Sequence, residues 1–210
     1  MLSFGRIKVK TLQKRSIDVK NPNIPAWAQV IESFVPGDGR EAAERTIMLD
    51  LLAREGDALL FRESAHAHFT ASSIIVNRDR TKTLMAYHKI YDSWAWTGGH
   101  NDGDSDFLAV ARREAQEETG IKGLRLLGAG AASLEILPVW AHVRRGVHVG
   151  SHLHLNLSYL FEADDTLPLR PAEAENSAVG WLPVDALERY VSEPDMLPIY
   201  ARLLSRSERL

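Results

Sequence analysis

The sequence predicts an α+β or mixed α/β layered fold with a helical extension at its N-terminal side. Two observations predict it. Between residues 21 and 56 the apolar residues recur only at helical spacing. After about residue 69 strand-type runs dominate, with one helical segment, 107–119, set among them. No internal repeat or low-complexity tract interrupts this order. The chain has 210 residues and is 45% hydrophobic, which suits one domain with an appendage. The expected division is a basic arm and helical extension over 1–60 and a main domain over 61–210.

The arm carries Arg6, Lys8, Lys10, Lys14, Arg15 and Lys20 against the single acid Asp18, and reads as an exposed basic strand or loose arm. PAWAQVIESFV opens with Pro25, suited to a first helical turn, and spaces Trp27, Val30, Ile31 and Phe34 along a helix. PGDG at 36–39 breaks it. REAAERTIMLDLLARE resumes it, with Ile47, Leu49, Leu51 and Leu52 expected on or near one face and Gly56 closing it. An extension this short cannot bury such faces alone, so they are expected to cover the main domain or a second copy of the chain. Strands are expected at 73–76 and 82–88 around the turn Asn77–Arg80, then at 124–127, 133–140, 153–161 and 178–182. Phe107–Thr119 reads as a helix because Leu108, Ala111 and Ala115 share a face, and Gly120 stands where a C-terminal cap glycine belongs. Two further helices are expected at 184–191 and 195–205.

Composition narrows the function. The net charge of -3 argues against a protein that grips a nucleic acid backbone. With no cysteine, disulfides, thiolate metal sites and cysteine nucleophiles are excluded. No apolar run approaches a membrane span, and the N-terminus lacks the apolar core of a signal peptide. The expected setting is cytoplasmic, with no membrane and no nucleic acid partner.

The chemistry concentrates in GGHNDGDSDFLAVARREAQEETGI, residues 98–121. Glu114, Glu117 and Glu118 are separated by steps of three and four, so a helix projects their carboxylates to one side. Their mutual repulsion changes sign around a hard cation such as Mg²⁺, which takes oxygen ligands and keeps positions open for phosphate. Arg113, four residues before Glu117, is placed to brace the cluster. Gly98 and Gly99 allow a sharp turn and a close backbone approach, so that a main-chain carbonyl can face the ion. Taken alone, EAQEE is more often simply a solvated acidic helix end.

From Gly99 onward the segment resembles the signature of the Nudix hydrolases, G-x5-E-x7-R-E-U-x-E-E-x-G-U with U apolar. Gly99, Arg113, Glu114, Ala115, Glu117, Glu118, Gly120 and Ile121 fall in register. The first glutamate of the pattern falls on Ser105, flanked by Asp104 and Asp106. HFTASSIIVN before the segment, and SHLHLNLSYLF and ENSAVGWLP after it, also look like strands of that family, so the resemblance covers roughly 66–190. It implies an α/β/α sandwich around a mixed sheet. It implies hydrolysis of a diphosphate linkage in a nucleoside diphosphate derivative, with Mg²⁺ or Mn²⁺ held by Glu114, Glu117, Glu118 and Gly99. It places Arg113, Gly98 and Gly120 in support. The general base is expected among Glu118, Glu117 and the later-loop acids, of which Glu175 ranks above Glu173 because it directly precedes a strand.

His100, next to the glycine pair, and Trp94 are candidate substrate contacts, with Tyr91 and Trp96 nearby; core packing is the common fate of at least one of the two tryptophans. His66/His68 and His152/His154 are H-x-H pairs that share a strand face. Without cysteine or an H-E-x-x-H motif, hydrogen bonding within the fold or substrate contact is their expected role. GAGAAS at 128–133 lacks the spacing of a dinucleotide loop. Against the hydrolase stands a ligand-sensing or regulatory protein on the same fold, which would be expected to lose the helix glutamates. The isopentenyl diphosphate isomerase chemistry of the same superfamily uses a cysteine and is set aside. The expected partner is a small-molecule diphosphate, and the expected assembly a monomer or homodimer.

Overall fold

The computed structural model describes residues 24–89, 92–144, 146–174 and 176–210. The basic arm and Tyr91 lie outside the described residues. In chain order the elements are α1 (Gln29–Glu32), α2 (Gly39–Glu55), β1 (Ala67–Val76), β2 (Lys82–His88), β3 (Ser93–Ala95), β4 (Thr97–His100) and α3 (Phe107–Thr119). There follow β5 (Arg125–Leu127), β6 (Ser133–Val139), β7 (His142–Arg144), β8 (Val147–Val149), β9 (His152–Glu162), β10 (Asn176–Pro183) and α4 (Leu197–Ser207).

The sheet is mixed. β1 and β9 run parallel at its centre, in register from Ala67↔Leu153 to Val76↔Glu162. β2 and β4 both pair antiparallel with β1, β2 at its end and β4 over Thr70–Ser73. β10 and β3 pair with β2, while β5 and β6 pair with β9. β7 and β8 form a separate hairpin.

All ten residues of β1 are buried, as befits a central strand covered on both faces. Alternation sorts them. Phe69, Ala71 and Ile75 join the core beneath α3, with Phe107, Val110 and Ala111. Ile74 and Val76 join the opposite core, built with Met85, Leu160 and, from α4, Ile199, Tyr200 and Leu203. The N-terminal helices pack on the main domain: Ala28, Ile31, Met48 and Leu52 belong to the same core as Phe69 and Phe107. Trp27 meets Phe69 edge-on at 5.7 Å and Phe107 at 5.8 Å.

Four expectations change. The helix expected over 25–35 is a 3-10 turn, Ala26–Ala28, followed by the short α1. The buried face of α2 is Glu41, Met48 and Leu52, while Ile47 is 48% exposed; a glutamate is the anchor of this face, which apolar spacing cannot reveal. β1 begins at Ala67 rather than 73, because its first half carries His68, Thr70 and Ser72, polar groups satisfied or sheltered only by neighbouring strands. The segment expected as a helix over 184–191 is a 3-10 stretch, Val184–Arg189.

A buried polar network ties α2 and the central strands to α4. Asn156 Oδ1 accepts from Thr70 Oγ1 at 3.0 Å and Ser72 Oγ at 2.8 Å, and Asn156 Nδ2 donates to Glu135 Oε2 at 3.1 Å. Arg202 on α4 reaches Glu135 Oε1 at 3.1 Å. Arg206 grips Glu41 with both terminal nitrogens, at 2.6 and 2.8 Å. Burial alone raises the Glu41 carboxyl, but the bonds from Arg206, Ser133 and the Gly37 N–H outweigh it and hold it below its ordinary value.

Candidate active site

The acids of the segment form two groups, Asp102, Asp104 and Asp106, then Glu114, Glu117 and Glu118, and the two do different jobs. The first belongs to the loop before α3. Asp102 forms an ion pair with Arg62, whose Nε lies 2.6 Å from Oδ1. Asp104 Oδ1 accepts from the Asp106 N–H at 2.9 Å, and Asp106 Oδ1 caps α3 by accepting from the Ala109 N–H at 3.0 Å. Ser105, between them, is exposed.

The second cluster faces the glycine pair. Glu118 is buried, with Oε1 accepting from the Gly98 N–H at 2.8 Å and Oε2 accepting from Asn176 Nδ2 at 2.8 Å. Glu114 lies against Gly99 so closely that a β carbon there would come within 2.5 Å of its carboxylate. Glu117 is exposed on the same end of the helix. Arg113 meets the cluster at Glu114 rather than at Glu117. Its nearest acids are Asp104, at 3.4 Å, and Glu114, at 3.5 Å, so it ties the loop to the first glutamate instead.

Two local features hold α3 in place. Gly120 ends it in the left-handed region at φ 69, its N–H donating to the Gln116 carbonyl at 2.9 Å. The chain after β9 then folds back on this end: the Arg170 and Ala172 N–H groups donate to the carbonyls of Thr119 and Glu118 at 2.8 and 3.1 Å. That return places Asn176 against Glu118. Nothing in the sequence singled out Asn176, an ordinary residue at a strand start. Its neighbour Glu175 lies outside the described residues. Glu173 is exposed, and its carbonyl accepts from Lys89 Nζ.

Gly98 and Gly99 do not turn the chain. They lie within β4, and their lack of side chains serves only the close approach. Adjacent strand residues face opposite ways, so Gly99 meets α3 while His100 turns to the other face, among His68 and His154 with ring centroids 5.0 Å away in each case. Trp94 is partly buried, edge-on to Tyr87 at 5.6 Å and against Gly180. Trp96 packs edge-on to Tyr200 at 5.4 Å. An open depression lined by Val30, Phe34, Gly37 and Ala131 lies beside Arg206, whose guanidinium is already engaged by Glu41.

The residues fit a hard cation. Oxygen donors occupy adjoining turns of α3, and Gly99 leaves a cradle that any β carbon would fill. Among the described residues the three carboxylates do not by themselves converge as a metal-ligating group. Gly99→Ala tests the cradle. The added methyl displaces the Glu114 carboxylate, the far end of a flexible side chain, so stability should change little. A misplacement of about 1 Å costs roughly 10²-fold in rate. Hydrolysis assays beside a melting curve check both halves.

A family model described as the NUDIX domain matches residues 66–203. Among solved structures, the chain is similar to an Ap4A hydrolase of C. elegans in a binary complex, at 15% identity and a TM-score of 0.52, covering 68% of this chain and 98% of that one. It is also similar to a Nudix hydrolase from M. Smegmatis, RenU, at 15% identity and a TM-score of 0.51, covering 70% and 88%. At such identities the likeness shows the fold. None of the curated proteins compared with the chain matches it.

Proposed function

The chain belongs to the Nudix family, and from this premise we propose that it is a pyrophosphohydrolase that cleaves a diphosphate linkage in a nucleoside diphosphate derivative, using Mg²⁺ or Mn²⁺ at Glu114, Glu117, Glu118 and the Gly99 carbonyl. The observation that carries the reading is the meeting of Glu114 and Glu118 with the Gly98–Gly99 backbone. A ligand sensor would have no need to keep these carboxylates so placed.

Held by these residues, such an ion would supply charge neutralisation at the phosphate oxygens and a more acidic bound water. The chain supplies the positioning. Gly98 and Asn176 fix both oxygens of Glu118, and Arg113 orients Glu114 while anchoring the loop. Glu117, exposed at the same end of α3, is the residue we assign to accept the proton of the attacking water. The expected partner is a small-molecule diphosphate in a cytoplasmic setting, and no described helix is long and apolar enough to cross a membrane.

The test is a phosphate-release screen over ADP-ribose, nucleotide sugars, dinucleoside polyphosphates and nucleoside triphosphates with each ion; no turnover of any of them sinks the proposal. The ions should also stabilise the fold. A ligand at a hundredfold excess over Kd adds about 2.7 kcal/mol, a rise of roughly 5–10 °C in melting temperature for a chain of this size. Glu114→Gln/Glu118→Gln should lose most of the Mg²⁺ shift. An equal shift in both proteins would place the ions elsewhere.

A further inference from the structure

We propose that His68, His100 and His154 form a second metal site, for a divalent transition ion of the zinc class, on the sheet face opposite α3. The three residues come from three strands, β1, β4 and β9, and each offers a ring nitrogen within 4.8 Å of the other two. Neither H-x-H pair of the sequence is the chelate. His66 is exposed and bonds Glu55 at 3.1 Å; His152 has Nδ1 2.9 Å from the Gly150 carbonyl and Nε2 3.3 Å from His154 Nε2, a contact that a bound ion would replace.

His68 supplies the decisive observation. It is 4% exposed, and its Nδ1 lies 3.1 Å from the Ser64 carbonyl. A carbonyl can only accept, so Nδ1 carries the proton and Nε2 presents a lone pair. That Nε2 is buried with no hydrogen-bond partner. Burying an unsatisfied acceptor costs free energy, and a cation removes the cost. An imidazole whose far nitrogen donates to a backbone carbonyl is also the usual arrangement of a metal-ligating histidine.

The donor set selects the ion. Three imidazole nitrogens suit zinc, cobalt, nickel or copper, whereas magnesium and calcium take oxygen. Burial, reinforced by the neighbouring imidazoles, drives the pKa of His154 down to about 2, and burial also lowers that of His68. These two rings are therefore held neutral, the form that binds metal and not the form that attracts a phosphate. Tetrahedral coordination at about 2.0–2.1 Å sets donor atoms about 3.3–3.4 Å apart. Small rotations of three side chains close the gap from 4.8 Å. Three protein nitrogens leave one position open for water.

The test is independent of hydrolysis. Chelator-stripped protein is titrated with ZnCl2 by calorimetry, with excess Mg²⁺ present to occupy oxygen sites. One equivalent should bind, weakened at least about 100-fold in His68→Gln and in His154→Gln and unchanged in Glu117→Gln. X-ray absorption of the zinc-loaded wild type needs no variant to fold, and should show imidazole nitrogens at about 2.0 Å. Absence of stoichiometric zinc, an oxygen-only shell, or equal binding by folded His68→Gln and wild type would each overturn the proposal.

Discussion

Glu118→Gln and Glu117→Gln are each expected to lower turnover by about 10²–10³-fold, the loss usual when one preorganised charge-stabilising group is removed. The structure separates their consequences for the fold. Glu117 is exposed, so its amide costs little. Glu118 is buried between two donors, the Gly98 N–H and Asn176 Nδ2. A glutamine there keeps its oxygen for Gly98 and turns a donor toward Asn176. Asn176 Oδ1 is at present buried without a partner. A flip of the Asn176 amide accommodates the change, at a cost of about 1 kcal/mol for exchanging a charged acceptor for a neutral one. Glu118→Ala lacks this recourse and should lose stability as well as activity. Steady-state assays and melting curves on the three variants are the measurement. Activity near wild type in both glutamine variants would remove the carboxylates from the chemistry.

Arg206→Ala is expected to be the most destabilising single change outside the apolar core. It leaves Glu41, which is 0% exposed, without its bidentate partner. Breaking a buried pair in this way costs about 3–5 kcal/mol, roughly 6–20 °C in melting temperature. Ser133, the Gly37 N–H and the more distant Arg202 remain, and Glu135 stands close by. The pH dependence gives a second reading. In the wild type the Glu41 pKa is below its ordinary 4.5, so its contribution is complete above pH 4.5 and fades as pH falls through the folded value. Without Arg206, burial dominates and the carboxyl rises instead. The unfolded chain then releases the proton first, and the variant loses stability as pH rises past 4.5. The gap between the two proteins should therefore narrow in acid. A gap that stays constant between pH 3 and 7 would mean that Glu41 does not titrate as described. Replacing both residues with apolar ones of similar volume should recover much of the loss.

Much of the site was legible in the sequence because it lies within one helix and its caps. The spacing of Glu114, Glu117 and Glu118, the helix from Phe107 to Thr119 and the cap at Gly120 all follow from a 3.6-residue period and the conformational freedom of glycine, which act over a few residues. The absence of cysteine and the modest negative charge likewise need no fold to be read. Other facts were decided only when distant strands met. Asp102 and Asp104 look like further site acids until Arg62 and Arg113 claim them. Asn176 reaches Glu118 across 58 residues of sequence, and Arg206 reaches Glu41 across 165. His68 and His154 are brought side by side by the parallel register of β1 and β9, and His100 by the antiparallel register of β4. Local periodicity tells which side of its own element a residue faces. What it faces depends on chain closure and strand register, which are set by the burial of the whole core.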